Sequence, residues 1–220
     1  MAGKEWAMRE WNLLRSYPKS EKPVGVRTIR DRIIASYRGR DFYDGPRSCG
    51  YGGYKDDRRW LPVAKDIIND YAPVKRLIQF NCDKGYLVSE LQHLEIDAVG
   101  IEYSSYARAH AAEDLKSPLL PQFPPGHLPN PFDLAIALGL VYTYNLPDAM
   151  GFIRQLERIA HKAFITLATY ETKEDYWLLK EWSLLGTTIL KREEWLEVLN
   201  HCGYTGDYWF VDAEYLCLKS

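Results

Sequence analysis

Short apolar runs alternate with stretches of helical spacing through most of this chain. Four runs predict buried strands, at residues 75–80, 98–102, 132–138 and 162–168. Apolar residues at helical spacing predict helices at residues 61–71, 84–93, 106–114, 148–161, 171–182 and 192–202. Buried strands that alternate with helices are typical of a parallel sheet with helices on both faces.

The two ends of the chain show other patterns. Residues 1–20 place apolar side chains at the spacing of one amphipathic helix. At the other end, residues 208–211 and 214–219 predict a closing β-hairpin. The expected fold is therefore α/β and Rossmann-like. Its mostly parallel sheet would carry helices on both faces and a C-terminal antiparallel hairpin.

Residues 38–59 contain turn chemistry, with glycine, proline and aspartate between aromatic residues. A loop of this length inside a compact domain is often functional. We therefore expect two parts, a helical and loop extension at residues 1–59 that covers the active site and a main domain at residues 60–220.

Composition excludes several classes of protein. The formal net charge is −2, whereas a general nucleic-acid binder usually carries a basic face. No apolar run reaches the roughly 18 residues of a membrane helix, and the N-terminus lacks the apolar core of a signal peptide. The four cysteines are scattered, which favours a reduced, cytoplasmic protein. We expect no nucleic-acid partner and no membrane partner.

The five histidines are dispersed, so we expect no metal site. Glu90 and His93 form one Glu-x-x-His pair, but the second pair that a di-metal site needs is missing. His127, in a proline-rich loop, is the histidine that we would test as a base. The chain also holds 16 Tyr and 7 Trp, which line cores but also pockets for flat or cationic ligands.

Several segments, taken in order, resemble the class I S-adenosylmethionine (SAM)-dependent methyltransferases. They are the strand-turn-helix around residues 79–85, an acidic strand end in 99–104, Pro-Phe-Asp at 131–133, the strand at 164–168 and the Gly-Tyr turn within 201–207. Residues 41–45, 50–54 and 59–62 are similar to a bacterial branch of small-molecule methyltransferases. The resemblance covers nearly the whole chain, and it implies a Rossmann-like sheet of seven strands.

The resemblance implies a SAM site after the first strand of the main domain. The family's acidic residue aligns with Gln79, and its glycines align with Asn81, Asp83 and Gly85. Glycine allows close backbone approach and positive φ, and asparagine and aspartate tolerate that conformation better than other residues. The turn is therefore either a SAM site that is retained or a structural relic.

Other cofactor contacts are also implied by the resemblance. Glu102 would accept hydrogen bonds from the ribose hydroxyls, or it is a solvated carboxylate at a strand end. Tyr103 would cover the adenine, and Leu138, at the end of the family's fourth strand, would also contact the cofactor. Tyr51 and Tyr54 would cage the sulfonium, or they belong to a surface loop that is held by aromatic packing.

An acid–base pair common in the family is absent, since Tyr142 and Thr143 stand where Glu-His is frequent. Tyr142 or Tyr144 would orient a substrate hydroxyl, or both are packing residues. The arginines that flank the loop at residues 50–54 would together bind a phosphate or carboxylate, or each is a solvated arginine; they are Arg38, Arg40, Arg47, Arg58 and Arg59.

The expected function is SAM-dependent methyl transfer to an O or N atom of a small polar molecule, such as a sugar, a nucleotide-linked sugar or a specialised metabolite. The alternative is an inactive descendant of this fold that acts as a binding or regulatory subunit. The sequence leaves open whether the chain forms a homodimer or pairs with a partner subunit.

Overall fold

A parallel sheet of six strands runs through the protein, whose computed structural model describes residues 8–123 and 131–219. In chain order the strands are β1 (Arg9–Glu10), β2 (Lys22–Pro23), β3 (Arg76–Phe80), β4 (Asp97–Ile101), β5 (Phe132–Ala137), β6 (Ala160–Ala168), β7 (Asp207–Val211) and β8 (Leu218–Lys219). The central strands lie in the order β1-β7-β6-β5-β3-β4, and every neighbouring pair is parallel. Strands β2 and β8 form a separate parallel pair.

Helices cover both faces of this sheet, as the sequence predicts. They are α1 (Ile29–Ser36), α2 (Arg40–Tyr43), α3 (Leu61–Asp70), α4 (Tyr86–His93), α5 (Ser105–Ala109), α6 (Leu146–Ile159), α7 (Lys173–Trp182) and α8 (Arg192–Cys202), with a 3₁₀ helix at Val141–Thr143. One apolar cluster joins the sheet to α6 and α8 through residues such as Leu156 and Trp195. A second joins it to α3 and α4 through residues such as Ile67 and Leu91. The α/β, mostly parallel architecture is confirmed.

The strand order creates a crevice at the carboxyl ends of the central strands. From β3 the chain first adds β4 on one side and then β5 on the other. The crossovers therefore diverge at the carboxyl ends of β3 and β5, which is where α/β folds usually bind ligands.

The predicted closing hairpin is wrong, and so is the count of seven strands within the described residues. Strand β7 pairs in parallel with β6 and with β1, and β8 pairs with β2 instead. The cause is a tight turn after β7. The side chain of Asp212 accepts a hydrogen bond from the backbone N–H of Tyr215 at 2.7 Å, and this turn directs the chain away from the sheet.

The single helix expected at residues 1–20 is also wrong in its described part. Residues 9–10 form an edge strand, and Arg9 pairs at 2.7 Å with the buried carboxylate of Asp207 on β7. Leu13 is fully buried in the core. The N-terminal segment is thus tied to the sheet itself. No helix in residues 8–123 or 131–219 is both long and apolar enough to cross a bilayer.

Candidate functional site

A cavity of about 540 Å³ lies at the carboxyl ends of β3, β5, β6 and β7. Gln79, Leu138, Thr166 and Val211 line it, one from the end of each strand or just beyond. This volume lies within the usual range for small-molecule sites. The cavity therefore occupies the place that the strand order assigns to a ligand.

The turn between β3 and α4 keeps a glycine-type conformation although two of its three glycine positions carry side chains. Asn81, Asp83 and Gly85 have φ values of 55°, 53° and 76°. A Cβ on Gly85 would lie 3.0 Å from the Leu119 side chain, so glycine is needed there. The turn forms despite a cost of roughly 1–2 kcal/mol for each non-glycine residue in this conformation.

Gln79 lines the cavity and carries a buried acceptor without a hydrogen-bond donor among the groups that the structure describes. Its side chain is 4% exposed, and its Oε1 accepts no hydrogen bond from any described residue. A buried acceptor without a donor costs roughly 1–3 kcal/mol. A ligand that donates a hydrogen bond at this position would remove that cost.

Glu102 follows β4 and is fully buried. Its two carboxylate oxygens accept hydrogen bonds from the backbone N–H groups of Asp83 and Ser104, both at 2.8 Å. The Arg38 guanidinium lies 3.6 Å away. The carboxylate expected at the ribose hydroxyls therefore fixes the turn in this structure and does not line the cavity.

Four side chains, which we call the Asp83 cluster, meet above the turn: Arg38, Tyr43, Tyr51 and Asp83. Arg38 donates to the Asp83 carboxylate at 2.8 Å. The hydroxyls of Tyr43 and Tyr51 donate to the same carboxylate at 3.1 and 2.9 Å. The cluster closes the space between the turn and Glu102.

Burial governs the protonation of this cluster. It raises the pKa of Asp83 above its usual range, and the Arg38 charge offsets only part of that increase. Burial likewise raises the pKa of Glu102, with Arg38 opposing and Asp83 adding to the change. Burial alone would lower the pKa of Arg38. Its electrostatic interactions with Asp83, Tyr43 and Glu102 raise that pKa by a larger amount, so the net change is upward. Arg38 is thus the counter-ion of two buried carboxylates.

The loop at residues 50–54 borders both the cluster and the cavity. The rings of Tyr51 and Tyr54 lie 4.5 Å apart, and both residues line the cavity. The Lys84 ammonium donates to the backbone oxygen of Tyr54 at 2.9 Å. Aromatic packing and hydrogen bonds therefore hold the loop at the mouth of the cavity.

Gly50→Ala is expected to loosen this loop, because the new Cβ would collide with the backbone carbonyl of Phe42. Forcing extra atoms into a packed site costs roughly 1–3 kcal/mol. Urea unfolding should show this loss, and limited proteolysis should show faster cleavage near residue 51. The control is Gly39→Ala, where a Cβ meets nothing within 4 Å. Equal stability of the two variants would contradict this packing.

The predicted catalytic tyrosines separate in the structure. Tyr142 lines the cavity, and burial raises the pKa of its hydroxyl. Tyr144 packs against Phe152 and does not line the cavity, and burial raises its pKa to about 12. Both phenols therefore stay protonated at neutral pH. The third candidate, His127, lies outside the described residues.

Seven of the predicted residues come together at the cavity. They are Tyr51, Tyr54, Gln79, Asn81, Asp83, Leu138 and Tyr142. Gly85 is the N-cap residue of α4. Tyr103 is 55% exposed and does not line the cavity. Within the described ranges, no three His, Cys, Asp or Glu side chains come close enough to hold a metal ion.

Sequence reasoning did not assign Arg38 or Tyr43 to the turn. Arg38 lies 45 residues from its partner Asp83, so no local spacing indicates the contact. The only signal was the run of arginines and aromatic residues in 38–59, which we interpreted as contacts to a ligand.

No family model and no curated protein matches the sequence, but solved structures match the fold. Magnesium protoporphyrin IX methyltransferase (ChlM) from Synechocystis PCC 6803, solved with bound S-adenosylhomocysteine (SAH), aligns with a TM-score of 0.50 at 16% identity over 86% of this chain and 81% of that chain. DesVI from Streptomyces venezuelae aligns with a TM-score of 0.41 at 17% identity over 48% of each chain.

A sugar N-methyltransferase, KedS8 from Streptoalloteichus, aligns with a TM-score of 0.40 at 20% identity over 65% of this chain and 53% of that chain. The chain thus spans about half the length of DesVI and KedS8. The alignment with ChlM extends over most of both proteins. The likeness to ChlM shows that the chain has the fold of the class I SAM-dependent methyltransferases.

Proposed function

We propose that this protein transfers a methyl group from SAM to an O or N atom of a small polar molecule, such as a sugar, a nucleotide-linked sugar or a specialised metabolite. The observation that carries the proposal is the cavity at the carboxyl ends of the strands, with the left-handed turn at residues 81–85 and the unpartnered Gln79 Oε1 beside it. The fold shared with ChlM supports the same reaction class.

The residues at the turn fit SAM. Gln79 offers a buried acceptor to a donor such as an ammonium group, and Asn81 keeps the backbone conformation of the glycine that it replaces. The space between Glu102 and Asp83 can accept the ribose of SAM only after Arg38 moves, because the Arg38 guanidinium contacts both carboxylates. We propose that Glu102 accepts hydrogen bonds from the ribose hydroxyls once Arg38 has moved away.

Bound SAM supplies an electrophilic methyl group on a sulfonium, and the chain supplies position. The rings of Tyr51 and Tyr54 line the cavity, and aromatic faces stabilise a nearby cation by about 0.5–2 kcal/mol. Tyr142 is a neutral phenol that can donate a hydrogen bond to the acceptor molecule. Holding two reactants in line supplies much of the rate of such a transfer, so a strong base is not required.

Gln79→Leu is expected to weaken SAH binding about tenfold, because it removes one buried hydrogen-bond acceptor. The fold should be at least as stable as the wild type, since the lost oxygen has no partner. Calorimetric titration with SAH tests this, and Gln155→Leu on α6 is the matched control. Equal binding by the two variants, or no SAH binding by the wild type, would count against the proposal.

A second candidate function is a binding or regulatory subunit that performs no transfer. The Asp83 cluster favours it, because Arg38 fills the position between Asp83 and Glu102. This candidate predicts that neither the wild type nor a variant without the Asp83 carboxylate binds SAM or SAH.

A further inference from the structure

We propose that the mouth of the cavity binds an anionic group, a phosphate or a carboxylate, on the molecule that is methylated. Five basic residues line the cavity, namely Lys19, Lys22, Arg47, Lys55 and Arg59. The acidic residues that line it are Glu21 and Asp83. The inference rests on the proposed function only in calling this molecule the substrate.

Most of the positive charge of this surface is not paired with a carboxylate in the described part of the chain. Within the described residues, four of the five basic side chains have no carboxylate within 4.0 Å, and they are Lys19, Lys22, Arg47 and Lys55. Arg59 pairs with Asp57. The two acidic residues are already engaged, Glu21 with Lys219 and Asp83 with Arg38. A chain with a net charge of −2 thus gathers unpaired positive charge in one cavity.

Two of these cations are fixed so that donors remain for a ligand. The Lys22 ammonium donates one hydrogen bond to the Leu216 carbonyl at 3.0 Å, and an ammonium has three donors. One guanidinium nitrogen of Arg47 donates to the Gly50 carbonyl at 2.7 Å and to the Tyr51 carbonyl at 3.3 Å, and a guanidinium has five N–H donors. Both side chains are therefore held in place and still able to bind an anion.

The charges of these side chains act on one another. Burial lowers the pKa of Lys22, Cys217 raises it, and the nearby positive charges of Arg47, Lys19 and Arg59 lower it further. Cations from the N-terminal segment and from the loop therefore share one region. An anion placed among them would relieve their mutual repulsion.

The position of this basic surface suits a substrate that reaches inward. The cations belong to residues 19–22 and 47–59, at the mouth, while Gln79 and Thr166 line the same cavity at the sheet. A molecule that is anchored by its anionic group would extend toward the turn, where we place methyl transfer. The sequence suggested Arg38, Arg47 and Arg59 as contacts to an anionic group. Arg47 and Arg59 line the cavity, whereas Arg38 pairs with the buried carboxylates.

Calorimetric titration with pyrophosphate, and separately with malonate, tests the inference on the full chain without SAM and at constant ionic strength. The wild type should bind at least one of the two anions. Lys22→Gln and Arg47→Gln should each weaken that binding about tenfold, as expected for the loss of a hydrogen bond to a charged group. Lys65→Gln, which removes an equal charge from α3 away from the cavity, should bind like the wild type.

Preference for pyrophosphate identifies a phosphorylated substrate, and preference for malonate a carboxylated one. Failure of the wild type to bind either anion would overturn the inference, as would equal binding by all three variants. These outcomes are independent of the proposed function, which is tested by SAH. Binding of SAH without anion binding defeats only the inference, and the reverse result defeats only the proposed function.

Discussion

Replacing Arg38 with methionine is expected to lower the free energy of unfolding by about 3 kcal/mol at neutral pH, because it leaves two buried carboxylates without their counter-ion. The Arg38 side chain is 19% exposed, and that of Glu102 is fully buried. Arg38 also donates to Tyr43 at 2.8 Å. Its loss would therefore disturb the whole Asp83 cluster.

The deficit of Arg38→Met should depend on pH. Burial raises the pKa of Asp83 and Glu102 even in the presence of Arg38, which lowers both values. Without Arg38 both pKa values rise further. A carboxyl whose pKa is higher in the folded state destabilises the fold as the pH rises through that value. The deficit should be largest at neutral pH and should shrink toward about pH 5.

Urea unfolding at these two pH values measures this prediction. Arg40→Met is the matched control, since Arg40 is exposed and makes no ion pair within the described residues. Its stability should stay within about 0.5 kcal/mol of the wild type. A loss of less than about 1 kcal/mol in Arg38→Met, or the same loss at both pH values, would show that Arg38 does not compensate the two carboxylates.

Replacing Asp83 with glycine is expected to strengthen SAH binding about tenfold, because it removes the charge-assisted hydrogen bond that holds Arg38 over the turn. Asp83 has a φ of 53°, a conformation that glycine adopts at less cost. The Tyr51 hydroxyl, which donates to the Asp83 carboxylate at 2.9 Å, would also be released. The position beside Glu102 would then open.

Calorimetric titration with SAH compares this variant with the wild type and with Asp83→Asn. Asparagine keeps the volume of the side chain but removes its charge, so this variant separates the effect of the charge on SAH binding from the effect of the volume. We expect an affinity between those of the wild type and of Asp83→Gly. Unchanged or weaker binding in Asp83→Gly would show that the cluster does not compete with the cofactor.

Local patterns in the sequence were sufficient for the centre of the fold. Strands β3, β5 and β6 are mostly apolar, and the helices between them show regular spacing, so their positions follow from periodicity. The turn after β3 was predicted in the same way, from the strand, the helix and Gly85. Seven of the residues that the resemblance suggested do line the cavity.

Contacts between distant segments could not be predicted from local patterns. The pairing of β1 with β7 joins residues that are far apart in the sequence. The turn at Asp212 is held by a side-chain hydrogen bond together with backbone hydrogen bonds. Likewise, Arg38 reaches Asp83 and Glu102 from a loop whose composition indicated only a turn. Side chains that come together through tertiary structure leave no spacing to recognise.

The most direct test of the proposed function is a crystal structure of the full chain grown with a saturating concentration of SAH. We predict SAH in the cavity beside Gln79, with Arg38 moved away from Asp83 and Glu102. A structure without SAH in the cavity, with Arg38 still bound to both carboxylates, would contradict the proposal that this cavity is a SAM site.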